Sequence, residues 1–287
     1  MTSISIVIPA KNEASNLRNL LPKIRSAFPD AELVVVNDGS TDDTAACSKS
    51  LGATVVSHPY SMGNGAAIKT GARKASGEII VFLDADGQHD PQDIPRLLAK
   101  LDEGFDMVVG ARNYSGQANI GRFTANYIYN RLASWMVGQD ILDLTSGFRA
   151  VRAQKFRQFL YLLPNGFSYP TTITMSFFRA GYPVAYIPIQ AKKREGRSHI
   201  RLLHDGARFL LIIFRVGTLY SPLRIFVPVS SSFFLTALFY YVYTYTTIGR
   251  LTNMTVLLFT TSVLIFLIGL VSEQITNLLY SNGNKSS

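Results

Sequence analysis

The stretch IIVFLDADGQHDP, residues 79–91, runs from an apolar segment straight into two aspartates, a glycine, a glutamine and a histidine. Its first part, Ile79–Leu83, is a continuous apolar run, which is typical of a buried strand in a parallel sheet. Asp84 and Asp86 follow directly, and two carboxylates this close repel each other unless a partner of opposite charge holds them. The stretch therefore predicts a buried strand that ends at a ligand-binding site.

Similar short apolar runs alternate with helical patterns over the first two thirds of the chain. Five of them are predicted strands: SISIVIP, AELVVV, ATVVS, EIIVFLD and DMVVGA. The spacing of apolar residues between them predicts helices over 13–27, 42–51, 65–75 and 91–101. Strands and helices in alternation imply βαβ units on a mostly parallel sheet, so the predicted fold class is α/β.

Three polar clusters follow predicted strands of this sheet. They are PAKNE after the first strand, NDGSTDDT after the second and DADGQHD after the fourth. Ligands bind at the carboxyl ends of the strands in sheets of this kind. We therefore expect the three clusters to lie around one site.

The next part of the chain contains two more helical patterns, over 121–137 and 171–180, and a strand, PVAYIPI. Residues 199–218, HIRLLHDGARFLLIIFRVGT, then predict an amphipathic helix. Its polar face carries residues spaced to fit the 3.6-residue period, and its other face is Leu, Ile and Phe. Such a helix is typical of a membrane interface. The polar residues are Arg201, Asp205, Arg208 and Arg215.

Two long segments near the end of the chain carry no Asp, Glu, Lys or Arg. They are the 24 residues Ile225–Ile248 and the 22 residues Leu251–Ser272. Each is long enough to cross a hydrocarbon core of about 30 Å as a helix. A pair of buried core helices is the alternative, but core helices seldom run this far without a charge. We expect a transmembrane hairpin.

The distribution of charge predicts which side of the membrane the chain faces. The net charge is +9, and residues 192–224 hold eight basic residues against two acidic ones. This cluster precedes the first span, and cytoplasmic flanks favour Lys and Arg. With no signal peptide at the N-terminus and one cysteine, Cys47, we expect an integral protein of the cytoplasmic membrane. Its catalytic domain and both termini would be cytoplasmic, and the partner of its basic cluster would be anionic lipid, not nucleic acid.

The acidic cluster after the fourth strand has the donor set of a hard-metal site. Asp84, Asp86 and Gln88 present oxygen ligands of the kind that suit Mg²⁺ or Mn²⁺ rather than zinc. A divalent ion there would relieve the carboxylate repulsion and keep positions open for phosphate oxygens. The alternative is an acidic loop that caps the next helix, and we assign Asp90, before Pro91, to that capping role.

The other two clusters allow more than one interpretation. Thr41 or Asp42 predicts the start of a helix, whereas Asp38 is not needed for that cap and is placed to accept hydrogen bonds from a ribose or base. MGNGAAIKTG, residues 62–71, puts two glycines before a helix. The glycines could let a phosphate approach the start of the helix. The spacing of the Walker phosphate-binding motif is absent, however, so close helix packing is an equally good interpretation.

Six motifs in order resemble those of glycosyltransferase family 2: SIVIPAKNE, VVVNDGSTDDT, FLDADGQHDP, GARN, DLTSGFRAVR and REGRSHI. They are most similar to its polyprenyl-phosphate glycosyltransferase branch, which includes dolichyl-phosphate mannose synthases and bacterial undecaprenyl-phosphate glucosyltransferases. TLYSPLRIF and the two spans extend the resemblance over nearly the whole chain. The resemblance implies a GT-A fold, a nucleotide-sugar donor such as UDP-glucose or GDP-mannose, a Mg²⁺ or Mn²⁺ ion, and inversion at the anomeric carbon.

The resemblance also implies roles for residues on the donor side. Asp84 would lie against the ribose and metal and would act in catalysis with Asp86, and Asp86 and Gln88 would be metal ligands. Arg194, in REGRSHI, would contact the donor diphosphate; His199 stands there in place of the usual lysine, and membrane-surface charge is an alternative role for Arg194. The residues implied to line the nucleotide pocket are Pro9, Ala10, Glu13 and Asp38.

On the acceptor side, the resemblance places Arg112 of GARN near the acceptor phosphate, with a catalytic role. Arg122 and Asn126 fall where the family has an Arg and a Ser on that phosphate, and Asn126 departs from the pattern. The acceptor would be a phosphate monoester with a second pKa of about 6, so it is already an anionic nucleophile near neutral pH. No strong base is then required, and Asp143 is left to orient the TSGFR segment.

Two other functions remain open. One is a membrane glycosyltransferase that extends a glycan, although the Gln-x-x-Arg-Trp motif of processive relatives is absent, since the only tryptophan is Trp135 in LASWMVG. The other is a non-catalytic, membrane-tethered nucleotide-sugar binder, against which the intact acid set argues. Helices and spans of this kind also allow a homo-oligomer.

The predicted domain organisation has four parts. Residues 1–198 form a cytoplasmic GT-A catalytic domain, 199–221 a juxtamembrane amphipathic helix, 222–280 a two-helix transmembrane hairpin and 281–287 a cytoplasmic tail.

Overall fold

A computed structural model describes residues 2–112, 120–166, 169–190, 218 and 220–283, with side chains except at 120–126 and 280–283. The chain divides into two compact units, Met1–Leu202 and Leu203–Ser287. Each unit is described by itself below.

The first unit is built on one seven-stranded sheet with the order β3-β2-β1-β4-β6-β5-β7. All neighbouring strands are parallel except for β6, which runs antiparallel to both β4 and β5. The predicted α/β class with a mostly parallel sheet is confirmed. The strands are β1 (Ile4–Ala10), β2 (Glu32–Asn37), β3 (Thr54–Ser57), β4 (Ile79–Phe82), β5 (Met107–Arg112), β6 (Arg149–Arg152) and β7 (Val184–Ile189).

Helices connect the strands, and a short 3-10 turn, Pro91–Asp93, precedes the fourth helix. The predicted helices are present with their boundaries shifted by a few residues. The helices are α1 (Ala14–Ala27), α2 (Thr44–Ser50), α3 (Asn64–Lys74), α4 (Ile94–Asp102), α5 (Ile120–Val137), α6 (Ala153–Arg157) and α7 (Tyr169–Arg179).

The central strands form the core of this unit. All four residues of β4 are buried, as the apolar run predicts. On α1, the buried residues include Leu17, Leu21 and Ile24, which recur at helical spacing and pack on the sheet. Burial of such side chains contributes roughly 1.5–3 kcal/mol each before conformational entropy is subtracted.

Gly63 and Gly65, at the start of α3, serve packing. A Cβ on Gly65 would lie 2.0 Å from the carbonyl oxygen of Pro164, and one on Gly63, at φ +100°, would lie 2.6 Å from that of Asn165. The first amides of α3 are occupied by the same loop, since Gly65 and Ala66 donate to the carbonyls of residues 166 and 165. Of the two interpretations from the sequence, close packing is therefore supported, and the amides of Gly65 and Ala66 are already bonded within the protein.

The second unit is a helical hairpin of α8 (Pro222–Ile248) and α9 (Asn253–Gly283). Ser230 and Ser262 link the two helices by hydrogen bonds, because each hydroxyl donates to the other residue's carbonyl, at 3.0 and 2.9 Å. Gly269 allows close approach, since a Cβ there would lie 2.6 Å from Cβ of Phe226. Small and hydroxylated residues at the contact are typical of helix pairs in membranes.

Both hairpin helices are long and apolar enough to cross a membrane by length and composition. Only 11% of the most apolar 18-residue window in α8 is buried, and 17% of that in α9. A core helix of a soluble protein would be mostly buried, so the alternative of two core helices is not supported. Of the predicted amphipathic helix at 199–221, only residues 218, 220 and 221 fall within the described part of the chain.

Candidate active site

The predicted polar clusters meet at one edge of the sheet. β1 lies between β2 and β4 and is parallel to both, so the carboxyl ends of all three strands point the same way. The loop after β2 joins the end of β1 directly, because Asp38 N donates to Ala10 O at 2.8 Å. Pro9 and Ala10, the predicted nucleotide-pocket residues on β1, thus sit beside the start of the Asp38 loop.

The loops after β1 and β2 are cross-linked by side chains. Asn12 adopts a left-handed conformation, at φ 56°, which asparagine tolerates better than most residues. Its amide oxygen accepts from Thr41 N at 2.8 Å, and its own N–H donates to Ser40 Oγ at 2.9 Å. Glu13 N donates to Thr44 Oγ1 at 3.0 Å. These bonds fix the position of Glu13, whose carboxylate is partly exposed.

Asp38 is buried and holds the loop at residues 58–63. Its two carboxylate oxygens accept from His58 Nδ1 and Met62 N, each at 2.8 Å, and from Ser61 Oγ and Gly63 N, at 2.8 and 2.9 Å. Burial raises the pKa of Asp38, but these donors outweigh burial and the pKa lies below its ordinary value. The carboxylate of Asp38 thus accepts four hydrogen bonds from within the protein. Its predicted direct contact with a ribose stays a prediction.

Asp84 lies at the end of β4 against the backbone of Gly147. A Cβ on Gly147 would lie 2.6 Å from Asp84 Oδ2, so any larger residue there would displace this carboxylate. His89 lies on its other side, with Nε2 3.8 Å from Asp84 Oδ2. The carboxylate is 34% exposed, which leaves it open to a ligand.

His89 is a buried neighbour of the Asp84 carboxylate. Its ring is buried and stacks on Phe148, with the ring centroids 5.1 Å apart. Burial lowers the pKa of His89 to about 4, although the nearby charge of Asp86 acts in the opposite direction. The ring is therefore neutral near pH 7.

The loop from Asp86 to Asp90 forms a tight turn. Gln88 N donates to Asp86 Oδ1 at 3.1 Å, and Gly87 takes φ +69° between them. Asp90 accepts from Gln92 N at 3.0 Å and caps the turn that begins at Pro91, so its predicted capping role is confirmed.

The donor set at this turn fits a hard divalent cation. The carboxylates of Asp84 and Asp86 and the amide of Gln88 are all partly exposed, and they offer the oxygen ligands that Mg²⁺ and Mn²⁺ prefer. Among the residues that the structure describes, no three of His, Cys, Asp and Glu converge on one point. A cation here would therefore take its remaining ligands from water or from a substrate.

Arg112, at the end of β5, is held by Asp143 in a bidentate ion pair. Arg112 Nε donates to Asp143 Oδ2 at 2.8 Å, and Nη2 donates to Oδ1 at 3.0 Å and to Thr145 Oγ1 at 2.5 Å. Two parallel bonds of this kind fix the plane of the guanidinium. Its side chain is 24% exposed, whereas that of Asp143 is fully buried.

Asp143 is the residue of the candidate site whose partner the sequence did not predict. Burial raises its pKa, but hydrogen bonds and charge from Arg112 outweigh burial, and the pKa lies below its usual value. Asp143 also accepts from Thr145 N and Oγ1, both at 3.1 Å. It thus orients the TSGFR segment, as the sequence suggested. Its position just before TSGFR was the one available signal.

Three predicted site residues remain without described side chains. Arg122 and Asn126 lie on α5, but their side chains fall outside the described set, and Arg194 lies outside the described residues altogether. Their predicted contacts with the acceptor phosphate and the donor diphosphate stay predictions.

Comparison with protein families matches both units. The profile of glycosyl transferase family 2 covers residues 5–160, more than half of the 287-residue chain. The profile of the GtrB C-terminal hairpin covers residues 221–278. The match of the second profile includes both apolar helices.

Two curated proteins illustrate the relationship. The undecaprenyl-phosphate 4-deoxy-4-formamido-L-arabinose transferase of Klebsiella pneumoniae is 36% identical over 159 residues, which is 52% of this chain and 48% of that enzyme. The chain thus spans about half the length of that relative. The polyprenol monophosphomannose synthase of Mycolicibacterium smegmatis is 28% identical over 205 residues, 66% of this chain and 77% of that enzyme.

A solved structure shares the fold. Glucosyl-3-phosphoglycerate synthase of Mycobacterium tuberculosis, crystallised with Mn²⁺, UDP and glucosyl-3-phosphoglycerate, superposes with a TM-score of 0.59 at 25% identity. The match covers 74% of this chain and 77% of that one. The predicted GT-A fold is thereby confirmed, as is the predicted family: this chain belongs to glycosyl transferase family 2.

Proposed function

We propose that this protein is an inverting, metal-dependent hexosyltransferase that moves a sugar from a nucleotide sugar to a membrane polyprenyl phosphate. One observation carries the proposal. The segment 143–147 touches the two groups that such a reaction must bring together, since Gly147 abuts the Asp84 carboxylate and Asp143 holds the Arg112 guanidinium. One short segment thus contacts both the carboxylate that would hold the metal and the arginine that would bind an anionic acceptor.

Charge explains why this arrangement suits the reaction. A phosphate monoester with a second pKa of about 6 is mostly a dianion at neutral pH and needs no strong base to become a nucleophile. The obstacle is the repulsion between two anionic substrates. Arg112 would bind the acceptor phosphate, and Asp143, whose carboxylate is already engaged by Arg112 and Thr145, would hold that arginine in place and would not act as a base.

On the donor side, Asp84, Asp86 and Gln88 would hold Mg²⁺ or Mn²⁺. The ion would neutralise the charge of the donor diphosphate as the leaving group departs. Pro9, Ala10 and Glu13 would line the nucleotide pocket with the Asp38 loop. Arg194 would bind the diphosphate, and Arg122 and Asn126 would assist at the acceptor phosphate.

The surface beside Arg112 suits the isoprenoid tail of the acceptor. An open groove of about 970 Å³ lies between α5 and residues 138–142. Asn130 ties the groove to the Arg112 site, because its side chain donates to Leu142 O at 2.7 Å and accepts from Leu144 N at 3.1 Å. The large apolar side chains exposed along it are Tyr127, Ile128, Trp135 and Leu142.

The relatives support the acceptor class. The names of the Klebsiella and Mycolicibacterium enzymes specify undecaprenyl phosphate and a polyprenol monophosphomannose product, and the hairpin helices would place this chain in the membrane that holds such lipids. We propose that the cytoplasmic membrane is its location, with the catalytic unit and both termini cytoplasmic, as the basic flank of the first span indicates. Homo-oligomers are compatible with this arrangement.

The test is a transfer assay with the full chain in membranes. Labelled UDP-glucose and GDP-mannose are supplied separately with polyprenyl phosphate, and label is followed into an organic-soluble, mild-acid-labile lipid. We expect one donor to label the lipid, and we expect chelator or Asp86→Ala to abolish transfer.

The matched control is Asp102→Ala, at the exposed end of α4, which should transfer at the wild-type rate. Full activity of Asp86→Ala with chelator present would overturn the metal mechanism. Failure of the wild-type protein with every nucleotide sugar would instead favour a non-catalytic nucleotide-sugar binder.

A further inference from the structure

Arg149 is a buried cation to which the proposed function assigns no role. It opens β6, its side chain is fully buried, and it takes part in no ion pair within the described ranges of the chain. Its guanidinium donates to Ser146 O, to Thr174 Oγ1 at 3.2 Å and to Pro170 O at 3.3 Å. A buried charge without an ionic partner is destabilising, and a neutral residue of similar volume is often better tolerated.

Unsatisfied polar atoms gather around the same residue. In the part of the chain that the structure describes, four buried side-chain atoms have no hydrogen-bond partner: Nε of Arg149, Oγ of Ser146, the hydroxyl of Tyr186 and Nδ1 of His89. Arg149 and Tyr186 both pair with Val109 in the sheet, and His89 stacks on Phe148, next to Arg149. Buried unsatisfied groups are rare, and local violations of this kind are expected at functional sites.

The bonds of Arg149 act on the segment that joins the two halves of the site. Arg149 binds the carbonyl of Ser146, and Tyr169, whose ring lies 5.6 Å from the guanidinium carbon, donates to the carbonyl of Gly147 at 3.2 Å. Gly147 in turn abuts the Asp84 carboxylate. Two buried residues, Arg149 and Tyr169, thus bond to the segment that contacts Asp84 through Gly147 and Arg112 through Asp143.

We infer that Arg149 is a positioning residue for the transfer reaction: it fixes the backbone at 145–147 so that Asp84 and Arg112 keep the separation that the two substrates require. This inference rests on the proposed function. A planar guanidinium with several donors can hold Ser146 O and Thr174 at once, whereas lysine offers a single point charge.

The experiment compares Arg149→Met and Arg149→Lys in the full chain. Arg149→Met should stay folded with an unchanged or higher Tm, because it removes a buried unpaired charge. Its kcat should fall about 100-fold, the effect expected of a displacement of about 1 Å, while KM for donor and acceptor changes less than about threefold. Arg149→Lys keeps the charge and one donor and should recover to within about tenfold of wild type.

The matched control is Arg152→Met, at the other end of the same strand, where Nη2 donates to Leu101 O at 3.3 Å. Its kcat should equal that of wild type. A folded Arg149→Met protein with wild-type kcat would overturn the inference. So would a loss of activity that only follows the loss of folded protein and is not recovered by lysine.

A second measurement needs no turnover. Amide hydrogen exchange of a peptide covering 143–149 should speed up at least about tenfold in Arg149→Met at unchanged Tm, since local opening is reported separately from global unfolding. If the wild-type chain transfers no sugar, the proposed function fails. The amide exchange of residues 143–149 then still tests whether Arg149 holds this segment. Unchanged exchange would show that it does not.

Discussion

Replacing Asp143 with Asn should destabilise the catalytic unit strongly, although the two side chains have the same shape. The carboxylate of Asp143 accepts five hydrogen bonds, three from Arg112 and two from Thr145. Either oxygen position taken by an amide NH₂ would face at least two of these donors. Removing one member of a buried ion pair costs about 3–5 kcal/mol, and we expect about 3 kcal/mol here, because Arg112 is 24% exposed and water can hydrate it.

For a unit of this size the expected change is easily measured. The first unit spans Met1–Leu202, and at about 2–4 °C per kcal/mol its Tm should fall by about 6–12 °C. The assay is thermal unfolding of the full chain in detergent. Asp102→Asn, at the exposed end of α4, is the control, and its Tm should equal that of wild type. A Tm within about 2 °C of wild type in Asp143→Asn would refute the account of the pair.

The pH dependence gives the same pair a second test with a definite sign. In the wild-type protein the pKa of Asp143 is lowered, so its contribution to stability is present above the unfolded value of about 3.9 and is lost as pH falls through the lower folded value. In Arg112→Met, the Asp143 carboxyl stays buried but loses the guanidinium, so its pKa should rise above the unfolded value. Stability of Arg112→Met should therefore fall as pH rises from about 4. A Tm of Arg112→Met that does not depend on pH would contradict this.

Three further predictions concern other contacts. Gly147→Ala puts a Cβ 2.6 Å from Asp84 Oδ2 and should lower kcat about 100-fold in the transfer assay by displacing the carboxylate. Gly65→Ala puts a Cβ 2.0 Å from a backbone carbonyl and should cost about 1–3 kcal/mol, read as a lower Tm. Ser262→Ala removes a hydroxyl bonded to Ser230 O at 2.9 Å and should weaken the hairpin by about 0.6 kcal/mol, seen as faster amide exchange in α8 and α9.

Gly166→Ala is the control for both glycine substitutions, because no atom of the described residues would lie within 4 Å of a Cβ there; its Tm and kcat should match those of wild type. Equal activity of Gly147→Ala and wild type would mean that Asp84 tolerates displacement. An unchanged Tm in Gly65→Ala would mean that the 164–166 loop moves away freely. Unchanged exchange in Ser262→Ala would mean that the serine pair does not hold the helices together.

Much of the fold followed from local pattern. The strands β1 to β5 and β7 are apolar runs bounded by turn residues, and the helices between them show helical spacing, so periodicity alone located them. β6 was missed because it is four residues long and begins and ends with arginine. It is buried because it lies between β4 and β5 in the sheet, and the pattern of residues within the strand does not predict that position.

The candidate site divides in the same way. The adjacency of Asp84 and Asp86 after an apolar run predicted an acidic site, and Asp90 before Pro91 predicted a cap. The partners of Asp38 could not be predicted, because His58 and Gly63 reach it from a loop 20 and 25 residues away. The partner of Arg112 lies 31 residues away, and only folding brings it into contact.

The sequence by itself determined the α/β class, the two apolar helices and the oxygen-rich end of β4, since each depends on residues that are neighbours along the chain. The tertiary structure alone decided that the glycines at the start of α3 serve packing, that Asp143 holds Arg112 and that Arg149 bonds to the backbone at Ser146. The physical reason is that ion pairs, backbone clashes and burial depend on distances in space, which the spacing of residues along a chain does not specify.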